Sequence, residues 1–213
     1  MDFNEFLKSL PKIKNIQLPG EVSHYKMVPP FRRELLKHHQ KETHKARRAG
    51  VLALFYPDSN KQTRFVLILR KTYEGVHSAQ IGFPGGKLEE QDISIQATAV
   101  RETYEEVGVP ENQIMVIKEL TEVYIPPSNF FVYPFMGILK DVPRFFRQED
   151  EVEAVLEIPL EHFLEHERLI TKRVKTSYSV DVEVPAFHLN GHVVWGATAM
   201  ILSEIKDLLK QAF

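Results

Sequence analysis

The 213-residue chain contains no cysteine. Disulfides, thiol nucleophiles and Cys-ligated zinc are therefore excluded. No apolar run reaches the ~18 residues that a membrane-spanning helix needs, so no membrane partner is implied. Neither charge sign is in excess: the formal net charge is −2, which gives no global pull toward nucleic acid. Internal repeats and low-complexity linkers are also missing, so a single domain over residues 1–213 is expected. The first fifteen residues scatter Asp2, Asn4, Glu5 and Lys8 among apolar positions, unlike a secretory leader. A cytoplasmic protein is the expectation. Ser128 has no Gly-x-Ser-x-Gly context, which argues against a serine hydrolase. His38, His39 and His44 have no ligand-like spacing and read as solvated surface.

What the chain does have is an acidic cluster, Arg101-Glu102-Thr103-Tyr104-Glu105-Glu106-Val107-Gly108. Like charges three and four apart on a helix repel one another, by ~0.2–0.5 kcal/mol per pair. A divalent cation turns that repulsion into attraction. Hard carboxylate oxygens at this density suit Mg²⁺ or Mn²⁺, whereas zinc favours His or Cys. The spacing predicts a helix over 94–107, capped by Asp92 or Ser94 and stopped by Gly108 and Pro110. Ala97, Val100, Tyr104 and Val107 are expected to form its buried stripe, with the glutamates facing outward. Just upstream, Gly85-Gly86 allows close backbone approach to a ligand or offers a carbonyl to a metal.

These residues resemble the Nudix hydrolase signature, Gly-x5-Glu-x7-Arg-Glu-U-x-Glu-Glu-x-Gly-U with U apolar. Residues 101–109 match its second half, with Thr103 in place of an aliphatic. Counting from Gly86, Asp92 takes the first acidic position, and Arg101 lies one residue further on than the general pattern. That extra residue, and Phe83-Pro84-Gly85-Gly86, are similar to the coenzyme A pyrophosphatase branch. Leu67 and Arg70 fit the branch's upstream motif, whereas Ile68, Lys71, Gly75 and Ala79 depart from it. The likeness spans about 50–205, behind an N-terminal helical extension over 1–45.

The resemblance implies an α/β/α sandwich with a mixed sheet. It implies Glu102, Glu105, Glu106 and the Gly85 carbonyl as metal ligands for Mg²⁺ or Mn²⁺, with Arg101 orienting Glu105. The general base would be one of these glutamates or Glu151. The implied substrate is coenzyme A or an acyl derivative. ADP-ribose hydrolysis and a silent nucleotide sensor are the alternatives, and the resemblance also allows a homodimer. Arg70 is a candidate substrate-binding cation. So are Arg32 and Arg33, since residues 1–50 hold 11 Lys or Arg against 5 Asp or Glu.

Periodicity and turn residues predict the remaining elements. Helices are expected over 3–10, stopped at Pro11, and over 31–42, 160–165 and 197–211. Strands are expected over 51–56, 65–69, 113–125, 130–139, 152–158 and near 178–189.

Overall fold

A computed structural model describes residues 1–29, 46–71, 80–174 and 182–213. The predicted helix over 31–42 lies outside these residues, as do Arg32, Arg33, Gly75 and Ala79. Among the described residues no helix is long and apolar enough to cross a membrane.

Among the described residues the framework is a mixed eight-stranded sheet. Its centre is β1 (Arg47–Pro57), which runs parallel to β7 (Phe130–Ile138) over nine paired residues. The opposite edge of β1 is shared by two antiparallel partners. β2 (Thr63–Arg70) pairs with residues 55–57, and β4 (Gly85–Lys87) pairs with residues 49–51. β3 (Ile81–Gly82) and β8 (Val152–Pro159) both pair with β2. β5 (Met115–Glu119) and β6 (Val123–Ile125) pair with β7.

β1 is buried on both faces, as its unbroken apolar run requires. Ala53 and Phe55 pack with α1 (Phe3–Asn15) and α5 (Gly196–Ala212). Leu52, Leu54 and Tyr56 point the other way, onto Ala99 and Val107 of α3 (Ile95–Val107). Helices thus cover both sheet faces, giving the expected α/β/α sandwich. α2 (Glu21–Tyr25) packs beside α5, and α4 (Leu160–Leu164) follows β8. A separate antiparallel sheet contains β9 (Leu169–Val174), β10 (Val182–Leu189) and β11 (His192–Val194).

Three expectations are corrected. α1 does not stop at Pro11 but continues to Asn15. Proline removes one backbone hydrogen bond; the further turn is held by burial of Ile13 beside the Phe3 and Phe6 stripe. β9 has a short, charged sequence and was not expected as a strand; its pairing with β10 organises it.

The third correction concerns the rotation of α3. Its buried residues are Thr98, Ala99, Thr103, Glu106 and Val107, whereas Tyr104 is exposed. The contact with β1 sets this phase. A Cβ at Gly50 would collide with the Ile95 carbonyl and Ala99, so the glycine lets the helix settle on that side. Thr103 tolerates burial because its hydroxyl donates to the Ala99 carbonyl at 2.7 Å. The rotation has a large consequence: Glu106 turns inward rather than outward.

Candidate functional site

The site is built where β2 and β4 meet the same edge of β1 and α3 lies across them. Ser94 caps α3 by accepting from the Ala97 N–H, and Gly108 ends it in the left-handed region at φ 77°. These caps fix the level at which the glutamates leave the helix.

Glu106 is 1% exposed. Its Oε2 accepts the Gly85 N–H at 2.7 Å. Arg70, at the end of β2, brings Nη1 to 2.7 Å from Glu106 Oε1 as an ion pair. Its Nη2 donates to the Gly85 carbonyl at 2.7 Å. A shift in strand register between Leu69 and Arg70 accompanies this placement. Oε1 is shielded from solvent and is met by the Arg70 guanidinium. Burial pushes the Glu106 carboxyl up to about 7, outweighing the Arg70 charge and the Gly85 amide. Burial also raises Glu102, against the pull of Arg101.

The two glycines serve different contacts. Gly85 has φ 148°, and a Cβ there would strike Gly50 and Val51 of β1. A Cβ at Gly86 would occupy the space of the Glu102 carboxylate. One glycine lets the strands close; the other leaves room for an acid.

Arg101 organises the outer side. Its guanidinium forks onto Asp92, with Nε 2.9 Å from Oδ1 and Nη2 3.0 Å from Oδ2. Nη1 reaches Glu105 at 2.9 Å, and Nη2 lies 3.0 Å from Glu102. The Arg101 hydrogen bonds hold Asp92 well below the usual carboxylate range, and the same contact raises Arg101. Thr98 adds a hydroxyl donor to Asp92 at 2.8 Å.

A chain segment after β7 closes the third side. The Phe146 and Gln148 N–H groups donate to the Val107 and Glu106 carbonyls, each at 3.0 Å. The Glu151 carbonyl accepts from the Lys71 N–H at 2.8 Å. Both Gln148 and Glu151 line the resulting cleft of about 260 Å³, together with Arg70, Glu102, Glu105 and Glu106.

The structure therefore brings together Arg70, Gly85, Glu102, Glu105, Glu106 and Glu151 from the sequence reading, with Arg101 behind them. Arg32 and Arg33 lie outside the described residues. Sequence reasoning named Asp92 but not its pairing with Arg101. It also passed over Gln148, whose only signal was its place in the acidic Gln148–Glu151 turn.

Among the described residues no three acids or imidazoles already converge on one point. Arg70 and Arg101 engage the carboxylates instead. The donor set nevertheless fits a hard divalent cation: the cleft is lined by the carboxylates of Glu102, Glu105, Glu106 and Glu151 and by Gly85, all oxygen donors. Glu102, Glu106 and the Gly85 carbonyl would hold the ion, with Glu105 beside them.

Burial of Glu106 has a measurable consequence. Its carboxyl holds a proton more tightly in the folded chain, near 7, than at its ordinary 4.5. Folding stability of the cation-free protein should therefore fall as pH rises from 4.5 through 7. The full effect is about 3 kcal/mol at 1.36 kcal/mol per pKa unit. Urea unfolding at pH 5 and pH 8 should show this loss in the native chain and not in Glu106→Gln. Added Mg²⁺ should restore the native stability at pH 8. Equal pH slopes in both proteins would contradict the assignment.

The geometry can be set beside known proteins. A family model described as the NUDIX domain matches residues 46–178. A peroxisomal coenzyme A diphosphatase of Caenorhabditis elegans is 32% identical over 135 residues, covering 63% of this chain and 58% of the relative. The mitochondrial Nudix hydrolase 15 of Arabidopsis thaliana is 32% identical over 74% of this chain and 57% of its own length. The chain thus spans somewhat over half of these two relatives. The Nudix hydrolase NudL of Escherichia fergusonii is 30% identical over 90% of this chain and 94% of the relative. Among solved structures, a MutT/nudix family protein from Enterococcus faecalis superposes with a TM-score of 0.54 at 17% identity. It covers 92% of this chain and 76% of its own, and shows likeness of fold alone.

Proposed function

The chain belongs to the Nudix family, and from that premise we propose that it hydrolyses the diphosphate linkage of a nucleotide derivative with Mg²⁺ or Mn²⁺. The preferred substrate in this reading is coenzyme A or an acyl derivative, cleaved to 4′-phosphopantetheine and adenosine 3′,5′-bisphosphate. The observation that carries the hydrolytic reading is the buried Glu106, flanked by Gly85, Arg70 and Glu102. The coenzyme A reading draws on the likeness to the C. elegans diphosphatase and on Phe83–Gly86.

A bound divalent cation supplies charge neutralisation for the diphosphate and makes water a better nucleophile. The chain's own residues do the rest. Glu102 and Glu106 present oxygens on one side of the cleft. Arg70 offers two N–H donors to a phosphate oxygen once its present acceptors are engaged elsewhere. Arg101 keeps Glu105 oriented through their 2.9 Å contact, leaving this half-exposed carboxylate open to a proton. Glu151 lines the cleft and is a second candidate for that proton.

A substrate panel with Mg²⁺ tests the reading. Coenzyme A, acetyl-CoA, ADP-ribose and a nucleoside triphosphate would be compared by product chromatography. The reading expects kcat/KM for the two coenzyme A compounds to exceed the others at least tenfold. Preference for ADP-ribose would replace the substrate but keep the chemistry. Thermal stabilisation by a nucleotide without any product would instead mark a sensor.

A further inference from the structure

We propose that Arg47 and Lys87 form a second anion subsite beside the diphosphate cleft, one that binds a phosphate monoester on the substrate's ribose, such as the 3′-phosphate of coenzyme A. This subsite deepens the diphosphate-hydrolase reading and rests on it.

Sheet register brings the two cations together. Lys87 lines the cleft at the end of β4 and pairs with Ala49 of β1. Side chains two apart on a strand share a face, so Arg47 lies on the face of Ala49 and diagonal to Lys87. Such diagonal neighbours stand about 7–8 Å apart, within reach of long side chains. The preceding Gly86 faces the Glu102 carboxylate instead. The glycine pair is thus the rim at which the acid-lined side of the cleft gives way to a basic one.

Arg47 is held in place before any ligand arrives. Its guanidinium carbon lies 4.2 Å from the centre of the Phe130 ring, and Nη2 donates to the Ser128 carbonyl at 3.0 Å. Its backbone N–H donates to the Asn129 carbonyl at 3.0 Å. The turn that receives it is itself closed. The Asn129 N–H donates to the Pro126 carbonyl at 3.1 Å, and the Tyr124 hydroxyl donates to the Asn129 side chain at 3.0 Å. An arginine already set on an aromatic ring loses little freedom when it takes an anion.

Both cations lack an acid. Arg64, Arg70, Arg101, Arg168 and Arg173 each hold a carboxylate. Among the described residues neither Arg47 nor Lys87 takes part in an ion pair. Like charges set close on a sheet repel, and an anion between them reverses the sign. A phosphate monoester carries about −1.5 to −2 charge at neutral pH and offers strong acceptor oxygens. The guanidinium donors not turned to Ser128 match a pair of these oxygens, and the Lys87 ammonium supplies a point charge. In coenzyme A this group stands one ribose ring from the diphosphate, and ADP-ribose lacks it. The subsite therefore separates the two substrate readings.

Coenzyme A and 3′-dephospho-coenzyme A differ only in that phosphate, and the test compares them on the native chain, Arg47→Met and Lys87→Met. Methionine keeps an apolar stem over Phe130 and removes the charge. The native chain should favour coenzyme A at least tenfold in kcat/KM, through KM, as hydrogen bonds to a charged group allow. The preference should fall below about threefold in each methionine variant, and Arg47→Lys should recover part of it. A native preference below tenfold, or one that stays above threefold in Arg47→Met, would overturn the proposal. So would a loss shared equally by the two compounds in either methionine variant, which marks a structural or diphosphate-holding role. Should the native chain cleave neither compound, calorimetric binding of adenosine 3′,5′-bisphosphate and adenosine 5′-monophosphate decides. Bisphosphate binding at least tenfold tighter, and lost in Arg47→Met, would sink the hydrolase reading and keep the subsite; equal binding would sink both.

Discussion

Glu106→Gln should lower kcat by about a thousandfold, which corresponds to roughly 4 kcal/mol of lost transition-state stabilisation. The amide keeps the volume of the carboxyl and can still accept the Gly85 N–H that now lies 2.7 Å from Oε2. The fold should therefore survive, with an unchanged circular dichroism spectrum. What disappears is the negative charge held almost wholly out of water at 1% exposure. That charge costs stability in the metal-free chain, so its presence is explained by the ion it would receive. Steady-state kinetics on the cleaved panel substrate decides the point. Activity within tenfold of native would return Glu106 to a structural role.

Arg101→Ala should act on stability as well as rate. Asp92 is nearly enclosed, with a side chain 4% exposed, and it faces Arg101 through two hydrogen bonds. Removing the cation leaves an enclosed carboxylate to its Thr98 and Glu89 donors, at a cost of about 3 kcal/mol. Glu102 and Glu105 lose their common anchor at the same time. Lysine cannot reproduce the planar fork, so Arg101→Lys should recover only part of either loss. The pH dependence carries a sign. Because Asp92 is held below its ordinary 3.8, its contribution is present above that value and is lost as pH falls further. Acid unfolding should therefore be flatter for Arg101→Ala than for the native chain. Full stability in the alanine variant would show that the fork is dispensable.

The parts of the site that were legible in the sequence are local. Three glutamates within five residues, a glycine pair and a Ser94 cap each express their chemistry over one turn of backbone. The family resemblance implied that Arg101 orients Glu105, and their spacing of four residues on a helix put the two within reach. The same spacing was silent about the rotation of α3. Apolar counting placed Tyr104 inside, whereas the fit against Gly50 and the partners Gly85 and Arg70 turn Glu106 inward. Those partners come from other strands, and no helical period carries that information. Gln148 was hidden for a similar reason, since its placement depends on a backbone hydrogen bond to Glu106 across an intervening sheet segment. Pro11 shows the converse: a local breaker gives way where Ile13 finds a buried place.

The glycines divide along the same line. Gly108 was readable as a helix stop because its left-handed conformation is a local demand. Gly86 was readable only as permissive. Its reason is the Glu102 carboxylate that fills the space beside it, sixteen residues further along the chain.

The central claim is that this acid-lined cleft exists to hold a divalent cation against a diphosphate. Mn²⁺ titration of the purified chain, followed by electron paramagnetic resonance with and without a non-hydrolysable diphosphate analogue, measures this directly. The account expects saturable Mn²⁺ binding at pH 8, tightened by the analogue and weakened at least tenfold in Glu106→Gln. Equal Mn²⁺ binding by native and variant chains, or none by either with the analogue present, would contradict it.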